Sequence, residues 1–325
     1  MAIRLQALGD TLITLPYLNA LRESVPGSEL DFLTRKEVSQ IPKSTVLFDR
    51  VFEIGGGRNN KRQVIAVTLL LPRLLARRYE VILDLQRNRI SQIVRGILAP
   101  VAWSEFDRFS PIPAGERTRL TIEAAGLGPI NEAPELKLRN PDAGLQKLLA
   151  GGWRQDHALV LLNPAGALPG RNWPVEHYCH LAQELTSCLH HRVQFLILGL
   201  PKIAGKAARM KAILGERLID LVGRTSQEEA FALVRRCALV VSEDGGLMHA
   251  AWVQNVPTLA LFGASRWVWA RPLGRFSDSV ITCREPDGVC MAGWCKRGAP
   301  SCLERTAVQP VLNAALDLLS RSGKL

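Results

Sequence analysis

The chain has 325 residues, 47% of them hydrophobic and 22% charged, a composition that excludes a disordered protein. A single hydrophobic core stops growing at roughly 250 to 300 residues, so the length predicts two domains. Lys and Arg number 41 against 30 Asp and Glu, and the net charge of +11 favours an anionic partner. The longest uncharged apolar stretch, Val64–Pro72, is far shorter than the roughly 20 residues of a membrane span. No signal-peptide pattern follows Met1, so we expect a cytoplasmic protein.

The first half of the chain alternates strand and helix patterns. Ile3–Leu8 is predicted as a strand and Gly9-Asp10 as the turn after it, with Asp10 as N-cap of a helix that closes at Pro26-Gly27. Three further strands are predicted at Glu29–Thr34, Val51–Ile54 and Tyr79–Leu85. A further helix is predicted at Val64–Arg78. This alternation predicts a doubly wound α/β sheet.

The pattern weakens between Pro129 and Asp156, so we expect an N-terminal domain at 1–152 and a C-terminal domain at 153–325. Strands are predicted in the second domain at Ala158–Leu162, Gln194–Leu198, Leu218–Leu221, Leu239–Ser242 and Thr258–Phe262. Helices are predicted at His177–Leu189, Ala204–Leu214, Gln227–Arg236 and Gly246–Gln254, and a closing helix at about 308–320 that can pack back on the N-terminal domain. Two Rossmann-like domains would face each other across a ligand-binding cleft.

Basic residues are concentrated between 58 and 95, where nine Lys and Arg and two acids give +7. One interpretation is a set of solvated helix faces, and another is a surface for a phosphorylated acceptor or an anionic membrane. Nucleic acid fits less well, because aromatic residues are not interleaved with the bases and no nucleic-acid-binding motif occurs.

Three predicted strand-to-helix loops have the composition of anion sites: Leu8–Thr11, Asn163–Ala167 and Ser242–Gly246. Asp244 can accept hydrogen bonds from sugar hydroxyls while the neighbouring glycine amides face phosphate, or it can simply cap a helix. Asp10 has the same two interpretations, since a carboxylate at a strand end can also act as a general base.

Six motifs occur in order along the chain: Gly9–Pro16, Asp84–Asn88, Arg171–Pro174, Leu221–Ser226, Val241–Ala251 and Pro257–Gly263. In this order and spacing they resemble the motif series of glycosyltransferase family 9, the lipopolysaccharide heptosyltransferases. The resemblance runs from Ile3 to about Leu312 and implies a GT-B fold of two Rossmann-like domains. It implies an inverting enzyme that transfers heptose from ADP-heptose to the lipopolysaccharide inner core, at the cytoplasmic face of the inner membrane, without a metal or other cofactor.

The resemblance also assigns roles to individual residues. Asp10 matches the base that deprotonates the acceptor hydroxyl, and Arg171 matches a position, usually lysine, that neutralises the diphosphate leaving group. The donor-binding residues that it implies are Asn163, Ala165, Gly166, Asp244, Gly245, Gly246 and His249. The acceptor-binding residues that it implies are Thr11, Arg87 and Asn88.

Two departures from the family pattern affect the donor. Gly245 stands where serine or threonine is more usual, and Gly199–Ile203 lacks the acid that often holds the ribose. Alternatives are therefore a family 9 transferase that uses another nucleotide sugar, or a non-catalytic nucleotide-sugar-binding protein. A nucleotide-dependent oxidoreductase is disfavoured, because no predicted strand is followed by the dinucleotide-binding motif GxGxxG.

Four cysteines, Cys283, Cys290, Cys295 and Cys302, crowd into a glycine-rich stretch of low apolar content. A tetrahedral structural metal could organise this loop, although the spacing is not the paired CxxC of common zinc sites. The alternative is reduced thiols in a C-terminal loop typical of the family.

Overall fold

The computed structural model describes residues 1–57, 59–130, 135–166, 171–190, 192–281 and 301–324. The chain divides into two compact units, 1–139 and 140–325, whereas the sequence pattern places the boundary at 152/153. The segment 140–152 belongs with the second unit because of its contacts. Lys147 Nζ lies 2.7 Å from a carboxylate oxygen of Glu229, and Gly144 lies against the Leu233 side chain.

The first unit contains a parallel sheet that is five-stranded over the described residues, in the order β3-β2-β1-β4-β5. Its strands are β1 (Ala2–Ile3), β2 (Asp31–Arg35), β3 (Arg50–Ile54), β4 (Val81–Asp84) and β5 (Ala102–Glu105). The strand order reverses between β1 and β4, where Ile3 is paired with Asp84. In doubly wound sheets, ligands bind beyond the carboxyl ends of the strands at such a reversal.

The helices of the first unit are α1 (Leu8–Ser24), α2 (Gln40–Ser44), α3 (Asn60–Leu75), α4 (Arg89–Leu98) and α5 (Ala114–Ala124). Helices α1 and α5 pack against each other, and so do α3 and α4. The inward sides of α3 and α4 bury Val67, Leu74, Ile90 and Val94 in one apolar cluster with residues of the strands. This burial leaves the outward sides of both helices in solvent.

The structure corrects the predicted start of the chain. The first strand is only Ala2–Ile3, and α1 begins at Leu8, so Gly9-Asp10 lies inside the helix rather than in a turn. Asp10 is the third residue of the helix and not its N-cap, which is Ala7. The Asp10 carboxylate instead accepts a hydrogen bond from the Ala7 amide, and so satisfies one backbone donor at the helix end.

The second unit contains a parallel sheet that is six-stranded over the described residues, in the order β11-β10-β9-β6-β7-β8. Its strands are β6 (Ala158–Asn163), β7 (Val193–Ile197), β8 (Leu218–Asp220), β9 (Leu239–Glu243), β10 (Thr258–Phe262) and β11 (Ser277–Ile281). Its helices are α6 (Leu145–Ala150), α7 (Val175–Cys188), α8 (Ala204–Leu214), α9 (Gln227–Arg235), α10 (Gly246–Trp252), α11 (Trp267–Ala270) and α12 (Val308–Ser322). The strand order reverses between β6 and β9, where Asn163 is paired with Ser242.

Apolar runs account for the strands of this second sheet. Strands β6, β7 and β10 are buried along almost their whole length, as expected for parallel strands covered by helices on both faces. Helix α12 packs against α7 and the strands β9 to β11, all within the second unit. Its predicted packing against the N-terminal domain stays a prediction. Among the described helices, none is long and apolar enough to cross a bilayer.

Candidate functional site

In the first unit, Asp10 lies just beyond the carboxyl end of β1 and is paired with Arg4. Arg4 Nη2 is 2.8 Å from Asp10 Oδ2, and 43% of the Asp10 side chain is exposed. Arg4 itself is buried, with its guanidinium 5.2 Å from the centre of the Phe106 ring. It also donates a hydrogen bond to the Leu85 carbonyl. Asp10 is therefore a solvent-accessible carboxylate in a fixed position, as a proton acceptor requires.

The loop after β4 is fastened to the loop after β1. The Gln86 side-chain oxygen accepts hydrogen bonds from the amides of Leu5 and Gln6, at 2.9 and 3.0 Å. Asp84, which is fully buried, accepts hydrogen bonds from the Arg87 amide and the Ser91 hydroxyl. Burial raises the pKa of Asp84, and these hydrogen bonds oppose the shift. The two loops thus form one rigid edge next to Asp10.

The three predicted acceptor-binding residues occupy different surroundings at this edge. The Thr11 side chain is fully buried, and its hydroxyl has no hydrogen-bond partner in the described part of the chain. Arg87 Nε is 3.0 Å from Glu105, so intramolecular acids already offset its charge. The Asn88 side chain caps α4 by accepting a hydrogen bond from the Ser91 amide at 2.9 Å. Their acceptor-binding role stays a prediction.

In the second unit, Arg171 and Asp244 meet at the reversal between β6 and β9. Arg171 Nη1 is 3.1 Å from Asp244 Oδ2, and Arg171 Nε donates to the Ala264 carbonyl at 3.2 Å. Both side chains are partly exposed, at 24% and 14%. The pair therefore places a fixed cation and a carboxylate side by side, and these are the groups that bind a phosphate and a sugar hydroxyl.

Glu243 holds the loops around this pair. It is the last residue of β9 and is fully buried, and its two oxygens accept hydrogen bonds from different loop amides. Oε2 accepts from the Gly166 amide at 2.5 Å and Oε1 from the Trp173 amide at 2.6 Å. Burial raises the pKa of Glu243 to about 7, while the amides and nearby Lys206 oppose that rise. Sequence reasoning missed Glu243, although an acid at the end of an apolar strand was a usable signal.

Three predicted donor residues lie at and just after the end of β6. The Asn163 side-chain amide donates to the Ser242 hydroxyl at 2.8 Å, and Ala165 packs partly buried against the core. Gly166 has no room for a side chain, since a Cβ would lie 2.3 Å from the Arg171 carbonyl oxygen. Lys206 further ties this loop by donating to the Pro164 carbonyl at 2.7 Å. Ala167, part of the same predicted loop, lies outside the described residues.

The remaining donor residues lie at the start of α10. Gly245 is the N-cap, with an extended backbone and room for a Cβ, whose nearest neighbour would be the Glu243 carbonyl oxygen at 3.8 Å, and Gly246 is the first helical residue. His249 is buried, and its Nδ1 accepts a hydrogen bond from the Trp252 indole at 3.0 Å. Its position and this contact fit a packing role, and its donor-binding role stays a prediction.

The cysteine cluster falls largely beyond what the structure describes. Cys283, Cys290 and Cys295 lie outside the described residues, and Cys302 is a half-buried thiol. The described ranges contain no group of three or more His, Cys, Asp or Glu side chains arranged to hold a metal. The structural metal stays a prediction.

Both units therefore carry polar loops at the strand-order reversal of a parallel α/β sheet, which defines a ligand-binding protein of the Rossmann-like class. Residues 116–295, more than half of the chain, match the family model of glycosyltransferase family 9 (heptosyltransferase). The chain belongs to this family, and the identification from the six sequence motifs is confirmed.

Curated relatives carry the same family name. Lipooligosaccharide heptosyltransferase 2 of Haemophilus influenzae is 32% identical over 124 residues, 37% of this chain and 34% of the relative. The match thus spans about a third of the length of that relative. Lipopolysaccharide heptosyltransferase 1 of Salmonella typhimurium is 23% identical over 311 residues, 88% of this chain and 94% of the relative.

A solved structure of the E. coli heptosyltransferase WaaC with ADP is similar along its whole length. It covers 98% of this chain and 98% of that chain at 19% identity, with a TM-score of 0.73. This likeness confirms the predicted GT-B fold class.

Proposed function

We propose that the protein is an inverting glycosyltransferase that moves heptose from ADP-heptose to the inner core of lipopolysaccharide. Membership of the heptosyltransferase family gives the reaction class. The observation that carries the proposal is the Arg171–Asp244 pair at the strand-order reversal. Buried Glu243 holds the backbone on either side of Arg171 by accepting hydrogen bonds from two loop amides.

The second unit would bind the donor. Arg171 is suited to the diphosphate because its planar guanidinium presents several donors to phosphate oxygens. Asp244 is suited to a sugar hydroxyl, with the Gly245 and Gly246 amides close by. The related WaaC structure was solved with ADP, which supports an adenine nucleotide as the donor carrier.

The first unit would bind the acceptor and supply the base. Asp10 accepts the proton of the acceptor hydroxyl, whose oxygen attacks the anomeric carbon of the heptose. The bond from that carbon to the diphosphate oxygen breaks, and ADP departs with the electron pair. One displacement inverts the anomeric centre. Arg171 offsets the charge that develops on the leaving group, so the proposal needs no catalytic metal.

The acceptor carries a lipid, so the proposal places the protein at the cytoplasmic face of the inner membrane. Basic residues between 58 and 95 support an anionic contact there, since Lys61, Arg62 and Arg73 are exposed. In the described part of the chain these three side chains form no ion pair. A peripheral contact of this kind weakens as salt rises.

Release of ADP tests donor and acceptor together. The protein is incubated with ADP-heptose, UDP-sugars or GDP-sugars and a panel of truncated core acceptors, with and without EDTA. We expect release that requires ADP-heptose and one acceptor and that survives EDTA. Release only with another nucleotide sugar would reassign the donor, and binding of ADP-heptose without release would indicate a non-catalytic sugar-nucleotide-binding protein.

A further inference from the structure

Helices α3 and α4 leave an aliphatic surface in solvent. The exposed fractions are 61% for Ile65 and 77% for Leu69 on α3, and 38% for Ile93 and 44% for Ile97 on α4. Val64, at 44%, lies with Ile93 and Ile97 along a shallow groove between the helices. We call these five residues the α3–α4 surface. Aliphatic side chains clustered on neighbouring helices, rather than scattered singly, mark an interaction site.

The charge on these two helices has one sign. Neither α3 nor α4 contains an Asp or a Glu. Lys61, Arg62 and Arg73 on α3 and Arg89 on α4 are exposed, and none forms an ion pair with a described residue. Ile65 and Leu69 follow Lys61 at intervals of four residues, so bases and aliphatic side chains share one outward side of α3.

We propose that the α3–α4 surface docks on an anionic lipid bilayer, with the aliphatic side chains inserted at the interface and the four bases on lipid headgroups. Helices with an apolar face flanked by Lys and Arg bind membranes in this way. A second copy of the chain fits poorly, because it would bring the same uncompensated bases together. Nucleic acid fits poorly as well, because aliphatic side chains give its bases nothing to stack on.

The docking follows from exposure and charge and does not require the transfer reaction. Its consequence rests on the proposed function. Helices α3 and α4 both begin after the carboxyl ends of strands β3 and β4, at the edge of the sheet next to which Asp10 lies. A bilayer on the α3–α4 surface would therefore present the headgroup of a lipid-anchored acceptor at the edge that carries the proposed base.

Vesicle co-sedimentation tests the docking, using phosphatidylcholine vesicles with and without phosphatidylglycerol. We expect binding that requires phosphatidylglycerol and weakens with salt. The double variant Ile65→Ser/Leu69→Ser should bind at least about tenfold more weakly, because it removes inserted aliphatic area. Arg62→Glu/Arg73→Glu should weaken binding to a similar extent, roughly tenfold or more, since each base near an anionic surface contributes to attraction.

Matched controls carry the same changes on exposed positions of the second unit. Leu200→Ser/Ile213→Ser removes aliphatic side chains that are 68% and 47% exposed, and Arg192→Glu/Lys324→Glu reverses two exposed bases. Both controls should bind vesicles like the unaltered protein, and circular dichroism checks that every variant is folded. Equal losses in variants and controls, or no binding by the unaltered protein, would overturn the proposal. So would an oligomer that Ile65→Ser/Leu69→Ser dissociates while vesicle binding is unchanged.

Failure of the docking is distinguishable from failure of the proposed function. With a detergent-dispersed acceptor, Ile65→Ser/Leu69→Ser should release ADP at the rate of the unaltered protein. With the acceptor in vesicles, its rate of ADP release should be lower than that of the unaltered protein. An unaltered protein that binds vesicles and releases no ADP from any donor would overturn the transfer reaction and leave the docking intact.

Discussion

The carboxylate of Glu243 accepts a hydrogen bond from the backbone amide of Trp173 at 2.6 Å, across 70 residues of sequence. The other oxygen of the same carboxylate accepts from the Gly166 amide, so one buried acid holds both described ends of the loop that carries Arg171. The positions of Gly166 and Trp173 therefore depend on Glu243, which is not itself proposed to contact the diphosphate or the sugar. Glu243 is a positioning residue, and its protonation should be measurable in stability.

Glu243 should make the stability of the second unit fall as pH rises. Its pKa is about 7 in the folded protein against 4.5 for an ordinary glutamate, so the folded state binds more protons between these values. Stability from this group is then present below about pH 4.5 and is lost as pH rises to about 7. Glu243→Gln cannot ionise, so its stability relative to the unaltered protein should rise by about 2 to 3 kcal/mol between pH 5 and pH 8.

Urea unfolding of both proteins at the two pH values measures this difference. A change in the difference well below about 1 kcal/mol would show that Glu243 keeps an ordinary pKa in the fold. A second measurement separates positioning from stability. ADP binding to Glu243→Gln should weaken even at a pH where the variant is as stable as the unaltered protein, because the glutamine amide group cannot accept the second backbone hydrogen bond.

Gly166 and Gly245 give a matched pair of glycine substitutions. A Cβ at Gly166 would lie 2.3 Å from the Arg171 carbonyl oxygen and 2.6 Å from a Glu243 oxygen, whereas at Gly245 its nearest neighbour is 3.8 Å away. Gly166→Ala should therefore cost about 1 to 3 kcal/mol of stability and weaken ADP binding, because the Arg171 loop must shift.

Gly245→Ala should leave the structure and ADP binding close to those of the unaltered protein, and Gly245→Ser should add a hydroxyl cap worth a few tenths of a kcal/mol to α10. Calorimetric titration with ADP and thermal unfolding measure all three variants. If Gly166→Ala binds ADP normally, the loop is not held as tightly as its contacts with Glu243 indicate.

Asp10→Asn distinguishes the role of Asp10 as a base from its hydrogen bond to the Ala7 amide at the start of α1. Asparagine keeps an oxygen for the Ala7 amide but accepts no proton at neutral pH, so turnover should fall by roughly a hundredfold or more while α1 stays folded. Asp10→Ala should lose both functions, and the loss of the hydrogen bond to the Ala7 amide should cost roughly 0.5 to 1.5 kcal/mol of stability.

The measurement is the rate of ADP release at saturating donor, with calorimetric titration of ADP as a check on the second unit. ADP binding should be unchanged in both variants. An Asp10→Asn protein that keeps most of its turnover would limit Asp10 to its hydrogen bond with Ala7 and its ion pair with Arg4.

Most strands and helices of the second unit could be predicted from the sequence because their apolar runs are long and their boundaries carry clear signals, whereas the short helices α6 and α11 were missed. Helix Ala204–Leu214 and strand Thr258–Phe262 end where the pattern places them. The edge strands Ala102–Glu105 and Ser277–Ile281 were missed, because both are short and half-exposed and carry little periodic signal.

The sequence motifs predict which positions lie in the site, but not the tertiary contacts that hold them. Motif positions predict roles for Asp10, Arg171 and Asp244, whereas no motif predicts a role for Arg4, which pairs with Asp10, or for Glu243, which contacts amides 70 and 77 residues away. Periodicity reports which side of an element is buried, but not which buried polar atom meets which loop amide. Such pairings depend on the tertiary structure.

Thr11→Val tests whether the predicted acceptor role of Thr11 is compatible with its burial. The side chain is fully buried and its hydroxyl has no partner in the described part of the chain, so valine fills the same volume without an unsatisfied polar atom. The variant should be about 1 kcal/mol more stable, and an unchanged KM for the acceptor would show that the Thr11 hydroxyl does not bind the acceptor. Urea unfolding and acceptor titrations of ADP release measure the two quantities.

Thr14→Val is the matched control, because the Thr14 hydroxyl donates to the Thr11 carbonyl at 2.7 Å and its removal should destabilise α1. A raised acceptor KM for Thr11→Val with unchanged stability would instead indicate that α1 shifts to bring this hydroxyl to the acceptor.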